Sequence, residues 1–246
     1  MFKALLISIF LCLSLARLTV FKGTEVDTSR KYPWISLLLN PRSVCTGSLV
    51  GQNQILTAAH CFFEMDMENY FAFFGITSIG KPSLSDRYKI VNGVMREGYA
   101  ESQFVNGFDM SILGTDRDVK LTGSIQLATL DFENVILPGT KLVVVGFGKD
   151  DALTEQNLGV LKEGFIESYE CPFGHEGFTV LKNPICVLYN TINIQNAGCG
   201  DSGGPLMLRE SKVIVGTVSG ELSHNNDRWD IYSRTTENEE FIKSHI

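Results

Sequence analysis

Short apolar runs separated by turn residues constrain the fold of this 246-residue chain more than any other feature. Each run is about as long as a strand, and most are rich in β-branched or aromatic residues, which is typical of β-strands. No long helical pattern alternates with them, which argues against a parallel sheet of βαβ units. Together with the 23 glycines, this pattern predicts an all-β, turn-rich protein. The runs cover residues 34–39, 70–74, 88–91, 141–145, 158–161, 185–189 and 213–218.

The chain divides near its middle, where the apolar runs give way to a looser segment. We therefore predict two β modules, at roughly residues 20–125 and 130–235. One short helix is expected over residues 236–246, because Thr236 and Glu239 form a capping-box pattern ahead of apolar residues.

The first residues have the pattern of a secretory signal peptide. Lys3 provides a positive start, residues 4–15 are mostly apolar, and small residues end the run at Ala16. We predict a signal peptide over residues 1–16, a short propeptide at 17–19, and an extracellular protein. The alternative is a buried N-terminal strand. No segment reaches the ~20 consecutive apolar residues that a membrane span needs, so no membrane span is expected.

Cysteine usage agrees with export, because disulfides persist in oxidising compartments. Cys12 would leave with the signal peptide. Two of the possible bridges join cysteines that are close in sequence, and each would close a short loop worth ~3 kcal/mol in the chain-entropy model. These bridges are Cys45–Cys61 and Cys171–Cys186.

Charge excludes one class of partner. The formal net charge is −7, and no cluster of lysine and arginine stands out. A nucleic-acid partner is therefore not expected.

A glycine-rich stretch around Ser202 has what a nucleophilic serine requires. A hydroxyl is a poor nucleophile near neutral pH and needs an adjacent base. The N–H groups of Gly200 and Ser202 are spaced to bind a developing oxyanion, and Gly203 and Gly204 let the backbone pass closely behind. Taken alone, such a stretch is more often an ordinary turn.

The base and its orienting acid are the next requirement. Of the four histidines, His60 ends an apolar run and is followed at once by Cys61. Asp109 stands at the head of the apolar segment 110–113. Each has a simpler interpretation by itself, a core histidine and a solvated strand end. With Ser202 they supply a nucleophile, a base and a carboxylate that orients the base.

At these motifs the sequence resembles the chymotrypsin-like (trypsin-fold) serine proteases. Residues 57–61 match the histidine motif of that family, residues 200–205 match its serine motif, and Asp109 heads the expected acid segment. Smaller matches lie at residues 32–34, 45–49, 146–148, 184–186 and 231–234.

The resemblance implies two six-stranded antiparallel β-barrels with the active site between them. His60 and Asp109 would come from the first barrel and Ser202 from the second. It also implies a monomer without cofactor or metal, a protein or peptide substrate, and protein inhibitors as a further class of partner.

The nucleophile elbow of α/β-hydrolases is a rival interpretation, because residues 200–204 also fit its Gly-x-Ser-x-Gly pattern. That fold needs a helix after the serine and the order serine, acid, histidine. Here Pro205 and a strand-like run follow, and the order is His60, Asp109, Ser202. The order favours the chymotrypsin-like arrangement.

Activation departs from the family pattern. The resemblance implies cleavage that frees Val20, whose new amine would pair with Asp201. Val20 follows Thr19 and not a basic residue, Arg17 lies two positions too early, and Lys22 replaces a small residue. A zymogen is expected, with an unusual activation segment.

The specificity pocket also departs from the pattern. In relatives that cut after Lys or Arg, an aspartate precedes the serine by six residues. Neither Asn196 nor Ala197, which could take that place, is charged. On the walls, Ser219 is followed by Gly220 and Glu221, and Asp230 replaces a usual glycine. Glu221 and Asp230 could be solvated, could fill the pocket, or could favour polar or basic substrate residues.

Cys199 is the third departure. It lies three residues before Ser202 where the family has its cysteine four before, and no cysteine follows Ser202. We expect Cys199 to lack an intramolecular partner, either as a buried thiol or as an exposed thiol that pairs with another molecule.

Two functions remain open from the sequence. The first is a secreted serine endopeptidase that acts through an acyl-enzyme at Ser202. The alternative is a catalytically weak or inactive homologue that acts as a binding or regulatory protein. The intact set of His60, Asp109 and Ser202 favours the enzyme.

Overall fold

The computed structural model describes residues 20, 22–41, 43–63, 65, 67–80, 87–100, 105–148, 159–172, 184–189 and 195–246. Strands dominate this part of the chain, as predicted. None of the helices in these ranges is long and apolar enough to cross a membrane. The predicted signal peptide and propeptide, residues 1–19, lie outside the described residues.

Six strands of the first half close into an antiparallel barrel with the order β2-β3-β4-β7-β6-β5. Its interior is apolar: Leu38, Leu49, Ile55, Ile90 and Leu113 are fully buried. Truncating one such leucine to alanine typically costs about 2–5 kcal/mol. The strands are β2 (Ile35–Leu39), β3 (Val44–Leu49), β4 (Gln54–Thr57), β5 (Phe71–Phe74), β6 (Tyr88–Met95) and β7 (Ser111–Thr115).

Six strands of the second half and one short N-terminal strand form a seven-stranded antiparallel sheet. Its order is β1-β9-β8-β11-β12-β13-β10. The second unit was predicted to be a six-stranded barrel. It has one more strand than predicted, because the N-terminal strand β1 joins its sheet through the pairing of Thr24 with Glu163 of β9. The strands are β1 (Thr24–Glu25), β8 (Lys141–Gly146), β9 (Lys162–Glu167), β10 (Ile185–Leu188), β11 (Pro205–Leu208), β12 (Ile214–His224) and β13 (Asp227–Arg234).

One apolar run does not form the strand that its pattern predicts. The run covers residues 158–161, of which residue 158 lies outside the described part of the chain, and β9 begins only at Lys162. Val160 makes a single isolated bridge to Ser78, and Leu161 packs in the core. The apolar residues of this run are therefore explained by burial next to a strand, and their pattern did not indicate strand pairing.

A shared core joins the two β units. Leu37 and Phe73 of the first barrel pack in one buried cluster with Val143 and Met207 of the second sheet and with Phe147, which directly follows β8. This contact sets the position of each unit relative to the other, and the candidate site lies along it.

The C-terminal helix is present but shorter than expected. A 3₁₀ turn (Thr236–Asn238) leads into α1 (Glu239–Lys243). The predicted capping box is wrong, because the N-cap is Asn238, whose Nδ2 instead donates to the carbonyls of Gly107 and Arg234. Ile242 is fully buried in a cluster with residues of the first barrel, so the helix attaches the end of the chain to that barrel.

Candidate active site

His60 lies on a 3₁₀ turn (Ala59–Cys61) that directly follows β4. The Cys45–Cys61 disulfide ties this turn to β3. The turn is held from β7 as well, because Ser111 Oγ donates to the carbonyl of Ala58 at 2.9 Å. The His60 side chain is 30 % exposed, so part of it is open to solvent.

Asp109 lies just before β7 and is buried against His60. Its Oδ2 is 2.7 Å from His60 Nδ1, and its Oδ1 accepts the His60 backbone N–H at 3.0 Å. Ser219 Oγ also donates to Oδ2, at 2.6 Å. Burial opposes ionisation of the carboxyl, but the charge of His60 and these hydrogen bonds outweigh it and lower the pKa of Asp109. The site therefore holds a buried carboxylate that fixes one ring nitrogen of His60.

Ser202 lies in a tight loop before β11, beside the histidine turn. Its carbonyl accepts the backbone N–H of Thr46 at 2.9 Å and lies 3.6 Å from Cys61 Sγ. Gly203 has a φ of +75°, and a Cβ there would lie 1.9 Å from Thr57 Oγ1. Only glycine fits such a position, so the loop can approach the first barrel as closely as the sequence pattern implied.

Gly200, the second expected oxyanion donor, has a φ of +100°. A Cβ at this position would meet Gly148 Cα at 2.7 Å. The loop thus packs directly on the segment that follows β8. This close packing needs glycine on both sides. The sequence supplies it at Gly200 and at Gly148, the last residue of the Gly146-Phe147-Gly148 motif.

Asp201 is fully buried under this loop and accepts several backbone N–H groups. Its Oδ1 accepts from Gly148 and its Oδ2 from Gly198, both at 3.0 Å. The backbone N–H of Val20 donates to the same carboxyl group. Burial raises the pKa of Asp201 to about 7, although the three N–H donors and nearby Lys162 act in the opposite direction.

Val20 therefore lies next to Asp201, the residue with which the family resemblance implies that it pairs. The side chain of Val20 is fully buried in the core of the second sheet, and its carbonyl accepts the N–H of Gly23 at 2.7 Å. Lys22 adopts a φ of +57°, a conformation that glycine takes more readily. The carbonyl of Lys22 accepts from Gln195 Nε2 at 2.7 Å, so the departure at this position is accommodated.

The expected pocket residues separate into two groups. Asn196, Ala197 and Asp230 are all buried. Asp230 Oδ2 accepts from the Ala197 N–H at 2.7 Å and from Tyr232 Oη at 3.2 Å. Burial raises the pKa of Asp230 well above its usual range, and the negative charges of Glu221 and Asp201 add to the rise.

The other two expected pocket residues have different surroundings. Glu221 is paired with Arg228, whose Nε donates to Glu221 Oε1 at 2.8 Å, and both side chains are more than a third exposed. Ser219 is bonded to Asp109. Of the wall residues, only Asp230 is thus a buried carboxyl, and Ser219 supports the carboxylate beside His60.

Both predicted disulfides, Cys45–Cys61 and Cys171–Cys186, are present. The expectation for Cys199 is wrong, because Cys199 is disulfide-bonded and is not a thiol. Cys45, His60 and Cys61 place possible metal-ligand atoms within 4.8 Å of one another. Both sulfurs of that group belong to the disulfide, so they have no thiolate to offer a metal.

The His60–Asp109 pair and the glycine-flanked loop of Ser202 lie side by side between the two β units, an arrangement similar to that of chymotrypsin-like serine proteases. Comparison with known proteins agrees. The family described as Trypsin matches residues 21–242, and the chain belongs to this family.

Relatives are similar at moderate identity. The chain is 29% identical to the cercarial protease of Schistosoma mansoni over 253 residues, covering 96% of this chain and 94% of that protein. It is 26% identical to bovine coagulation factor XI over 243 residues, covering 94% of this chain but only 38% of that longer protein. Among solved structures, human heparin binding protein superposes with a TM-score of 0.74 at 20% identity, covering 91% of this chain and 95% of the other. That structural likeness supports the fold alone.

Proposed function

We propose that this chain is a secreted serine endopeptidase in which Ser202 is the nucleophile, His60 the general base and Asp109 the residue that orients the base. The observation that carries the proposal is the 2.7 Å contact between His60 Nδ1 and the buried Asp109 carboxylate. A carboxylate there keeps the proton on Nδ1, which leaves the Nε2 lone pair available for a serine hydroxyl.

The reaction follows from these roles. His60 Nε2 takes the proton of Ser202 Oγ as Oγ attacks the scissile carbonyl carbon. The N–H groups of Gly200 and Ser202 stabilise the resulting oxyanion, and each such donor is typically worth about 10²–10³ in kcat. His60 then gives the proton to the leaving amine as the C–N bond breaks. Water hydrolyses the acyl-enzyme through the same two steps in turn.

Activation in this proposal requires a free amine at Val20. The N–H of Val20 already donates to Asp201, and the hydrogen bonds from Val20, Gly148 and Gly198 all come from neutral backbone groups. Cleavage after Thr19 would turn the Val20 donor into an ammonium and place a cation at the carboxyl. An enteropeptidase recognition sequence inserted between Thr19 and Val20 leaves the predicted signal peptide intact and allows the cut before Val20 to be made at will. Activity that appears only after the cut supports the activation step.

Substrate preference is proposed to follow from Asp230. Its Oδ2 is used by Ala197 and Tyr232, while Oδ1 has no partner in the described part of the chain. Burial disfavours the carboxylate form unless a cation arrives. A lysine or arginine side chain before the scissile bond would supply that cation, so we infer a preference for basic residues there.

Labelling with a fluorophosphonate probe tests the proposed activity. The secreted protein, cut before Val20, should become covalently labelled, and Ser202→Ala should abolish the labelling. Ser124→Ala, which removes a serine hydroxyl from the linker between the two units, should leave it intact. Absence of Ser202-dependent labelling in the folded protein would overturn the endopeptidase proposal and favour a binding or regulatory role. Recovery of the protein from the medium, as a monomer in light scattering, tests location and oligomeric state.

A further inference from the structure

Thr46 has a fully buried hydroxyl that connects three parts of the candidate site. Thr46 lies in β3 of the first barrel. Its Oγ1 donates to the carbonyl of Gly200 at 2.9 Å and accepts the N–H of Phe147 at 3.0 Å. Its backbone N–H donates to the carbonyl of Ser202 at 2.9 Å. One residue of the first barrel therefore holds the serine loop at two carbonyls and also bonds to the segment after β8.

The two bonded carbonyls determine how the loop presents its N–H groups. The Gly200 carbonyl belongs to the peptide unit that lies between the N–H of Gly200 and the N–H of Ser202. Rotation of this unit would change the angle between those two donors. Gly200 carries no side chain that could restrict such rotation, and its φ of +100° is one that glycine can leave easily. A hydrogen bond to its carbonyl is a direct way to hold it.

The bonding of Thr46 is not a general property of buried hydroxyls in this barrel. Ser48 lies two residues further along the same strand and is also buried, but its Oγ has no hydrogen-bond partner among the residues that the structure describes. Thr46 uses its hydroxyl as both donor and acceptor, and both partners lie on the other β unit. The Thr46 hydroxyl therefore bonds to the serine loop and to the segment after β8, and not to the barrel that contains it.

We propose that Thr46 is a positioning residue for the oxyanion site, which acts by holding the Gly200 carbonyl so that the N–H groups of Gly200 and Ser202 converge. This proposal rests on the proposed endopeptidase function. Thr46 is fully buried, so we expect it to make no contact with a substrate and to influence stabilisation of the transition state while substrate binding stays largely unchanged. Loss of its hydroxyl should therefore lower kcat with little change in KM.

The matched variants are Thr46→Val, which keeps the shape and removes the hydroxyl, and Thr46→Ser, which keeps the hydroxyl. Thr115→Val is the control, since Thr115 is a buried threonine of the same barrel whose Oγ1 donates to the carbonyl of Arg117, away from the loop. We expect Thr46→Val to lower kcat about 10- to 100-fold, less than or equal to the loss of one oxyanion donor. Thr46→Ser should retain most of the wild-type kcat, and Thr115→Val should keep the kcat of the wild type.

Hydrogen exchange provides a second measurement that does not depend on activity. Amides in the peptide covering residues 198–204 should exchange faster in Thr46→Val than in the wild type, and Thr46→Ser should restore protection. Normal kcat together with normal exchange in Thr46→Val would overturn the positioning role. If the wild type neither labels nor turns over substrate, the endopeptidase proposal fails. The exchange comparison then decides the role of Thr46 by itself.

Discussion

Replacing Asp201 with asparagine in the uncleaved chain should remove a pH dependence of stability that the buried carboxyl creates. Asp201 is fully buried, and its pKa rises from 3.8 to about 7. A pKa difference of one between the folded and unfolded chain corresponds to ~1.4 kcal/mol of differential interaction between the two protonation states. The rise at Asp201 is therefore worth about 4 kcal/mol, a large fraction of the ~5–15 kcal/mol by which a domain is stable.

The sign follows from proton linkage. Between the unfolded pKa of 3.8 and the folded pKa of about 7, the folded chain binds more protons at Asp201 than the unfolded chain does. The contribution of Asp201 is fully present below the unfolded pKa and is lost as pH rises through the folded one. Asp201→Asn does not titrate, so its stability should fall less than that of the wild type over this range.

Guanidinium unfolding of the uncleaved chain at a series of pH values from about 4 to 8 measures this difference. The wild type should lose about 4 kcal/mol relative to Asp201→Asn across the range. Asp116→Asn is the control, because Asp116 is a partly exposed aspartate paired with Arg117. It should change with pH as the wild type does. Parallel pH profiles for Asp201→Asn and the wild type would refute the reasoning.

Cleavage before Val20 should reverse the direction in which the Asp201 contribution to stability changes with pH. The new α-amino group, with an ordinary pKa of about 7.7–8.0, would replace an amide N–H donor by a cation beside the carboxyl. The carboxylate form then becomes the favoured one, and its pKa should fall below the ordinary value of 3.8. In the cleaved chain, the stability that Asp201 contributes should be fully present above the unfolded pKa of 3.8 and should be lost as pH falls through the lowered folded pKa, which the same unfolding series measures when it is extended well below pH 4.

Two further substitutions test the triad and the pocket. Ser219→Ala removes a hydroxyl donor from the Asp109 carboxylate, so it should raise the pKa of Asp109 and lower kcat/KM about 10-fold, the effect of losing a hydrogen bond to a charged group. In a pH–rate profile the loss should be greatest at low pH, and a uniform loss at all pH values would contradict the assignment. Asp230→Asn should lower kcat/KM about 10- to 100-fold for substrates with Lys or Arg before the cut. Paired substrates that differ only at that residue measure this, and an unchanged ratio between basic and neutral substrates would remove Asp230 from the preference.

Most residues of the candidate site could be identified from short motifs in the sequence. His60, Asp109 and Ser202 were recognisable because each lies in a segment whose neighbours meet a chemical need, such as glycine where the backbone must approach closely. Both short-range disulfides followed from cysteine spacing. The all-β class followed from the length and composition of the apolar runs. These properties depend on residues within a few positions of one another, which the sequence displays directly.

Contacts between distant segments were decided only by packing of the two β units. Ser219 was expected in the pocket, but it donates to Asp109 from 110 positions away. The hydroxyl of Thr46 reaches Gly200 across 154 positions and had no local signal at all. No pattern around either residue indicates such a partner, because the partner is selected by how the barrel and the sheet face each other across their shared core.

The three residues proposed as a triad could be predicted from the sequence alone, as could the Cys45–Cys61 disulfide beside His60, whereas the residues that support them were decided by the tertiary structure. The pairing of Val20 shows the difference clearly. Its segment departs from the expected pattern at Lys22, yet its buried side chain and N–H lie against the second sheet and Asp201. Burial of an apolar side chain in a preformed core can outweigh one unfavourable backbone conformation, since full burial of a valine is worth about 1.5–3 kcal/mol.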